Sequence, residues 1–249
     1  MAIPGKEIHR CKDKLGPIYV YEDDLRRYLA FDAKLKQSCV HMTRPHELLY
    51  EYTKAMALAL AFTPVVEKCF IGGLGGGSLA HFLLKYYPEV NITALEYRAQ
   101  VVKLAREYFY LPYTKQLDIH ETDLKSYLGG KGGDSFDVMM LDLYTADGMH
   151  EQQKNVKLYK RCFKRLSPQG VLVINLPSQN IASSREILKE LEHISGQSCF
   201  RVTFAGGNLM AYAFKGEKRV LNTGTLNKRV GELSSRTGIN FGKIAEQLK

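Results

Sequence analysis

The stretch Ile71-Gly72-Gly73-Leu74-Gly75-Gly76-Gly77-Ser78 decides how this chain is read. It follows a short apolar run, Glu67–Ile71, that predicts a β-strand. It precedes Ser78–Tyr87, whose apolar spacing predicts a helix stopped by Pro88. Five glycines in six positions remove the Cβ atoms that would hold a ligand away from the backbone. They also leave free amides at a helix N-terminus, where partial positive charge collects. Beyond the loop, Asn91–Glu96 predicts a second strand that ends in an acid able to accept two ribose hydroxyl protons. Strand, glycine loop, helix, strand and terminal acid in this order point to a nucleotide-type ligand.

Working outward, strands and helices alternate. Ala99–Tyr108 predicts a helix, Gln116–Glu121 a strand, Phe136–Leu141 a buried strand, Glu151–Leu166 a helix and Gly170–Leu176 another buried strand. Near-continuous apolar strands between helices argue for an α/β fold, with a mostly parallel sheet covered on both faces. Ser198–Phe204 and Leu209–Phe214, joined by Gly206-Gly207-Asn208, predict a closing antiparallel hairpin. Before the glycine loop, helical spacing runs from Pro45 to Pro64. Ile18–Tyr21 and Arg27–Phe31, with the stretch through Val40, predict a small antiparallel hairpin unit. Helices around Leu226–Ser235 and Phe241–Leu248 close the chain, as a packing appendage or a helix-turn-helix. The expected organisation is an N-terminal β unit over 1–44, an α/β domain carrying the glycine loop over 45–219, and a C-terminal helix pair over 220–249.

Composition narrows the function. In 249 residues, 45% are hydrophobic and 24% charged, which excludes fibrous and fully disordered classes. No apolar run approaches the roughly 20 residues of a membrane helix, and MAIPGKEIHRCKDK lacks the apolar core of a secretory signal. Five scattered cysteines without a CxxC fit a reducing cytoplasm. The net charge of +9 is concentrated late, where residues 215–249 carry 8 basic and 3 acidic side chains. No Lys/Arg run exceeds two, so a dedicated nucleic-acid surface is not expected. His41 and His46 have no zinc spacing, and Ser78 lacks both a hydrolase elbow and a P-loop lysine. Metal, hydrolase and NTPase chemistry are therefore not expected.

Two ligand classes fit the loop. Gly73-x-Gly75 begins a dinucleotide fingerprint, but Ser78 stands where its third glycine belongs, and Gly73-x-Gly75-x-Gly77 fits an adenosyl-sulfonium loop better. Arg98 leaves a ribose 2′-phosphate open. The closing hairpin favours the sulfonium, as does Asp123, which ends the third strand where a carboxylate can accept from adenine. Asp123 also reads as an N-cap for the helix at Leu124–Leu128. At the carboxyl end of the fourth strand, Asp142 can orient an ammonium and take its proton, or serve as a loop cap.

These residues resemble the spermidine synthase (polyamine aminopropyltransferase) family, built on the Rossmann-like class I methyltransferase fold, from about Gly16 to Leu191. IGGLGGGSL, from Ile71, is similar to the family's IGGGDGGTL, and ITALEYRAQVV, from Ile92, to its VTLVEIDEEVV. HELLYEY resembles DEFxYQE, which matches Tyr50 to the active-site tyrosine, and LKQS matches Gln37 to a cofactor-contacting glutamine. FDVMMLD maps the catalytic aspartate onto Asp142. The resemblance implies a transferase that binds S-adenosylmethionine or its decarboxylated form through Gln37, Gly72, Gly73, Gly75, Gly77, Glu96 and Asp123. It implies a small-molecule acceptor bordered by Tyr50, Tyr144 and Asp147, no metal, and a homodimer. The departures are specific. The family's loop aspartate is Gly75, the acid two positions after the ribose glutamate is Arg98, and the second amine-binding aspartate is Thr145, with Asp147 two positions late. An acceptor other than putrescine is therefore expected. The competing expectation is a non-catalytic nucleotide-binding module whose basic C-terminus meets a partner.

Overall fold

The computed structural model describes residues 3–32, 36–130, 133–178, 181–205, 207–221 and 223–249. Leu35 of the LKQS match, Lys131 and Gly132 within the glycine-rich run 129–133, and Gly206 of the hairpin turn lie outside them.

The chain opens with a four-stranded antiparallel meander, β1 (Lys6–Asp13), β2 (Gly16–Glu22), β3 (Arg26–Ala30) and β4 (Lys36–His41), in sequential order. The expected hairpin is thus half of a larger sheet. Its first strand, KEIHRCKD, is too polar to announce itself by apolar alternation. Helix α1 (Glu51–Leu58) and a 3₁₀ turn (Ala59–Ala61) fill part of the helical stretch expected from Pro45 to Pro64.

The second layer is built on β5 (Lys68–Gly72), α2 (Ser78–Tyr86), β6 (Asn91–Leu95), α3 (Ala99–Tyr108), β7 (Leu117–His120), α4 (Leu124–Gly129) and β8 (Phe136–Leu141). After β8 come a two-residue hairpin, β9 (Tyr144–Thr145) with β10 (Gly148–Met149), then α5 (Glu151–Lys154) and α6 (Val156–Lys164). The single helix expected over Glu151–Leu166 is broken because the Asn155 side chain accepts from the Lys157 amide, capping a new start. β11 (Leu166–Pro177), α7 (Ile181–Ser195), β12 (Phe200–Thr203), β13 (Asn208–Phe214), α8 (Gly224–Thr237) and α9 (Phe241–Ala245) complete the chain. The long helix α7 was not anticipated from the sequence.

Among the described residues the central sheet has seven strands, ordered β12-β13-β11-β8-β5-β6-β7. All pairs are parallel except those of β13 with β11 and β12. Strand periodicity sends alternate residues to opposite faces. Cys69, Ile71, Val138 and Met140 join α1, α2, α8 and α9, whereas Phe70, Met139 and Leu141 join α4, α6 and α7. Each such buried Leu or Phe stabilises the fold by about 1.5–3 kcal/mol. The C-terminal helices bury Val230, Leu233, Phe241 and Ile244 in this core, so they pack on the sheet and the helix-turn-helix expectation falls.

The N-terminal sheet leans on α3 through Ile18, Val20, Leu29, Phe31 and Val40 against Val101, Leu104 and Phe109. Arg98 locks the two layers together. Its Nε and Nη2 donate to Asp13 at 2.9 and 2.8 Å, Nη2 also donates to the Gly16 carbonyl at 2.8 Å, and the guanidinium lies over the Phe31 ring. A guanidinium held on three sides is not available to a ribose 2′-phosphate, which removes that alternative. Burial pushes the Asp13 carboxyl up, but Arg98 and the Leu15 amide more than reverse this and hold it below the ordinary range. Stability from this pair is therefore present above the ordinary aspartate pKa and is lost as pH falls through the folded value. Arg98→Lys keeps the charge but loses the planar fork. We expect it to lower stability by about 1 kcal/mol in urea unfolding at neutral pH.

Candidate active site

The glycine loop leaves β5 and turns sharply into α2. Gly73, Gly75 and Gly77 have φ of +94°, +54° and +82°, the left-handed region that side chains rarely adopt. Space forbids side chains as well. A Cβ at Gly73 would lie 2.3 Å from the Asp142 carbonyl, and one at Gly72 would lie 2.8 Å from Leu141. The loop is thus pressed against the end of β8, and the Asp142 amide donates to the Gly72 carbonyl at 2.8 Å. On its other side the loop meets β4, where a Cβ at Gly75 would lie 3.3 Å from Ser38 Cβ.

Glu96 follows β6 directly and is 9% exposed. Its Oε2 accepts from the Gly75 amide at 3.3 Å and its Oε1 from the Arg98 amide at 3.0 Å. Burial raises its pKa, and backbone amides of Arg98, Gly75 and Leu74 oppose the rise. The carboxylate is therefore held at the rim of the glycine loop. Asp123 caps α4, with Oδ1 accepting from the Ser126 amide at 3.0 Å and from Gln152 Nε2 at 2.8 Å. Its Oδ2 accepts from the Ser126 hydroxyl at 2.6 Å. Burial acts upward on this carboxyl, but the Ser126 and Gln152 bonds outweigh it, so its pKa lies below the ordinary value. Cap geometry at Asp123 is realised, and any adenine contact would share an oxygen already in use.

Asp142 occupies the carboxyl end of β8, partly exposed at its edge and densely surrounded below. Its Oδ1 accepts from Asn175 Nδ2 at 2.8 Å, and the Tyr52 hydroxyl of α1 is turned toward it. Burial raises its pKa to about 6, with Asn175 and Tyr52 limiting the rise. A carboxylate of this kind is ionised at neutral pH yet close enough to titration to accept a proton. Behind it, the fully buried Gln153 accepts from the Leu143 amide at 3.0 Å and donates to the Asn175 carbonyl at 2.6 Å. This clamps the residue after Asp142 to β11.

Tyr144 sits on β9 beside Asp142, where burial pushes its phenol upward and the Asp142 charge adds to the rise. Asp147 is exposed at the tip between β9 and β10. Gln37, on β4, donates to the Thr145 carbonyl at 3.4 Å, so the N-terminal sheet reaches across to this tip. Tyr50 stacks on Tyr52, with ring centroids 5.7 Å apart, and packs toward Tyr28 and Cys39. Its hydroxyl is buried and faces the Cys39 thiol. Geometrically, Tyr52 rather than Tyr50 faces Asp142. Tyr52, Asn175 and Gln153 were not singled out from sequence. The signal for Asn175 was legible, as an amide inside the apolar run GVLVINL, whereas Tyr52 and Gln153 lie on helix faces with no such contrast.

Among the described residues no group of three or more His, Cys, Asp or Glu could hold a metal ion, and all five cysteines are free. No described helix is long and apolar enough to cross a membrane.

The O-methyltransferase domain model matches residues 32–208, which spans the glycine loop, Glu96, Asp123 and Asp142. The chain belongs to that family. This O-methyltransferase-family protein is also spermidine synthase-like along its whole length. It is 27% identical over 248 residues to the polyamine aminopropyltransferase of Neisseria meningitidis, covering 99% of this chain and 94% of that protein. A probable spermidine synthase from Corynebacterium glutamicum superposes with a TM-score of 0.74 at 17% identity, covering 98% of this chain and 94% of the other. Human methyltransferase-like protein 13, solved with SAH, superposes with a TM-score of 0.69 at 21% identity, covering 76% and 93%. The chain is accordingly a transferase with the class I methyltransferase architecture.

Proposed function

We propose that this transferase moves an alkyl group, methyl or aminopropyl, from an adenosyl sulfonium to a singly charged amine. The observation that carries the reading is the placement of Asp142. It is a carboxylate at the end of a central strand, with its own carbonyl against the glycine loop and a pKa raised to about 6 by burial. In this reading Gly72, Gly73, Gly75 and Gly77 bring backbone close to the donor, Glu96 accepts from the ribose hydroxyls, Asp123 and Gln37 complete the donor site, and Tyr50, Tyr144 and Asp147 border the acceptor. Asp142 orients the acceptor ammonium and takes its proton. The amine lone pair then attacks the sulfonium carbon, the carbon–sulfur bond breaks, and its electron pair stays on sulfur. Free amines with pKa about 10 are protonated at neutral pH, so this proton acceptor is required. Alignment of nitrogen, carbon and sulfur supplies the rest.

Thr145 replaces the second carboxylate that would grip a di-cation, which supports a single-ammonium acceptor. Gly75 likewise removes a loop acid that would repel the carboxylate of S-adenosylmethionine. Its φ of +54° and the neighbouring Ser38 leave no easy room for one. Titration calorimetry with both donors tests this. The carboxylated and decarboxylated forms are expected to bind within about tenfold of one another, a difference of at most about 1.4 kcal/mol. A hundredfold preference for the decarboxylated donor would sink the methyl branch.

A further inference from the structure

The buried run Gly170–Leu176 of β11 is apolar except for Asn175, which is 2% exposed. A buried carboxamide must satisfy both its donor and its acceptor ends, and this one does so with a direction. Its Nδ2 donates to Asp142 Oδ1 at 2.8 Å, and its Oδ1 accepts from Asn208 Nδ2 at 3.0 Å. Asn208 opens β13, the strand antiparallel to β11, and is the register neighbour of Pro177. Asn208 backs this sense of the amide: while its NH₂ donates to Asn175 Oδ1, the Asn175 NH₂ group faces Asp142. Were the amide reversed, its carbonyl would face the carboxylate, and two acceptors would meet with no proton between them.

We infer that Asn175 is a positioning residue, backed by Asn208, that holds Asp142 Oδ1 and keeps this carboxylate ionised. The inference deepens the proton-acceptor role given to Asp142 above and rests on it for its catalytic meaning. The hydrogen-bond relay itself stands on geometry. The titratable groups that face Asp142 are Tyr52 from α1 and Tyr144 from β9, both phenols raised by burial and neutral throughout the working range. Their protonation does not change there, and of the two donors on the carboxylate, Asn175 and the Tyr52 hydroxyl, the amide opposes the rise more. Loss of a hydrogen bond to a charged group shifts an ionisation by about one to two pH units, tenfold to a hundredfold in the constant.

The test is a carboxyl ¹³C titration of Asp142 in the ligand-free protein, with Asp142→Asn assigning the signal. Because it reads protonation and not turnover, failure of the relay is separable from failure of the proposed reaction, which product formation by Asp142→Asn decides. Asn175→Ala is expected to raise the Asp142 midpoint by one to two units. Asn208→Asp, nearly isosteric, should raise it too, because the new carboxylate takes the Asn175 NH₂ and turns its carbonyl onto Asp142. In the Asn175→Ala background, Asn208→Asp should then add only the smaller rise from its own charge, since no amide remains to turn. An unchanged midpoint in folded Asn175→Ala overturns the inference, as does a fully additive shift in the double variant. If Asn175→Ala does not fold, Asn208→Asp alone decides, and an unchanged midpoint there is equally fatal.

Discussion

Asp142→Asn is expected to lower turnover by roughly 10²–10⁴, the usual worth of a positioned acid–base group, while adenosyl-ligand affinity stays within about twofold. The substitution keeps volume and still offers Asn175 an acceptor oxygen, so the loss reports chemistry rather than packing. Stability gives an independent sign. Asp142 is raised in the folded state from the ordinary carboxylate value to about 6, chiefly by burial. The native state therefore binds more protons than the unfolded chain between those two values. The stability linked to this group is fully present below the ordinary aspartate pKa and is lost as pH rises through about 6. Activity should move the other way, falling as pH drops below about 6, because the protonated acid can no longer accept. Asn at this position should abolish the stability dependence and melt no lower than the parent at neutral pH. Product formation with a panel of amines and melts across pH measure both arms. A stable and fully active Asp142→Asn enzyme would move the proton-accepting role to another group.

Glu96→Ala is expected to weaken adenosyl-ligand binding by about 1.5–3 kcal/mol, roughly ten- to hundredfold, as for hydrogen bonds to a charged group. The motivation is its position directly after β6, with one oxygen on the Gly75 amide and the other on the Arg98 amide. Those bonds hold the carboxylate against the loop that would carry the donor. Its raised pKa adds a pH signature: ligand affinity should fall on acidification earlier than an ordinary glutamate would dictate, because the protonated form cannot accept from both ribose hydroxyls. Calorimetry of the parent and of Glu96→Ala from neutral to acidic pH reads both effects. Unchanged affinity in a folded variant would refute the ribose assignment.

The alternation of apolar strands and helices, the glycine loop and the acids at strand ends were all legible in sequence. Each is a local or periodic signal: FDVMML can hardly be anything but a buried strand, and five glycines in six positions demand an unusual backbone. The polar strand β1 and the break in helix at Asn155 were less legible. In the first, pairing with β2 outweighs a pattern with no apolar alternation, and in the second a side-chain cap overrides a helical spacing. Arg98 shows a different limit. Its neighbour Glu96 suggested a phosphate contact, but its fork lies on Asp13, 85 positions earlier in the chain.

By itself the sequence determined the fold class, the glycine loop and the carboxylates at the neighbouring strand ends, because strand and turn chemistry act between residues close along the chain. Only the tertiary structure decided what surrounds Asp142. Tyr52 comes from a helix before the loop, Asn175 from the next central strand and Asn208 from the closing hairpin, three elements joined by hydrogen bonds and contacts that no spacing encodes. Whether a carboxylate accepts a proton near neutral pH depends on burial and on the donors aimed at it. Both are properties of the assembled core.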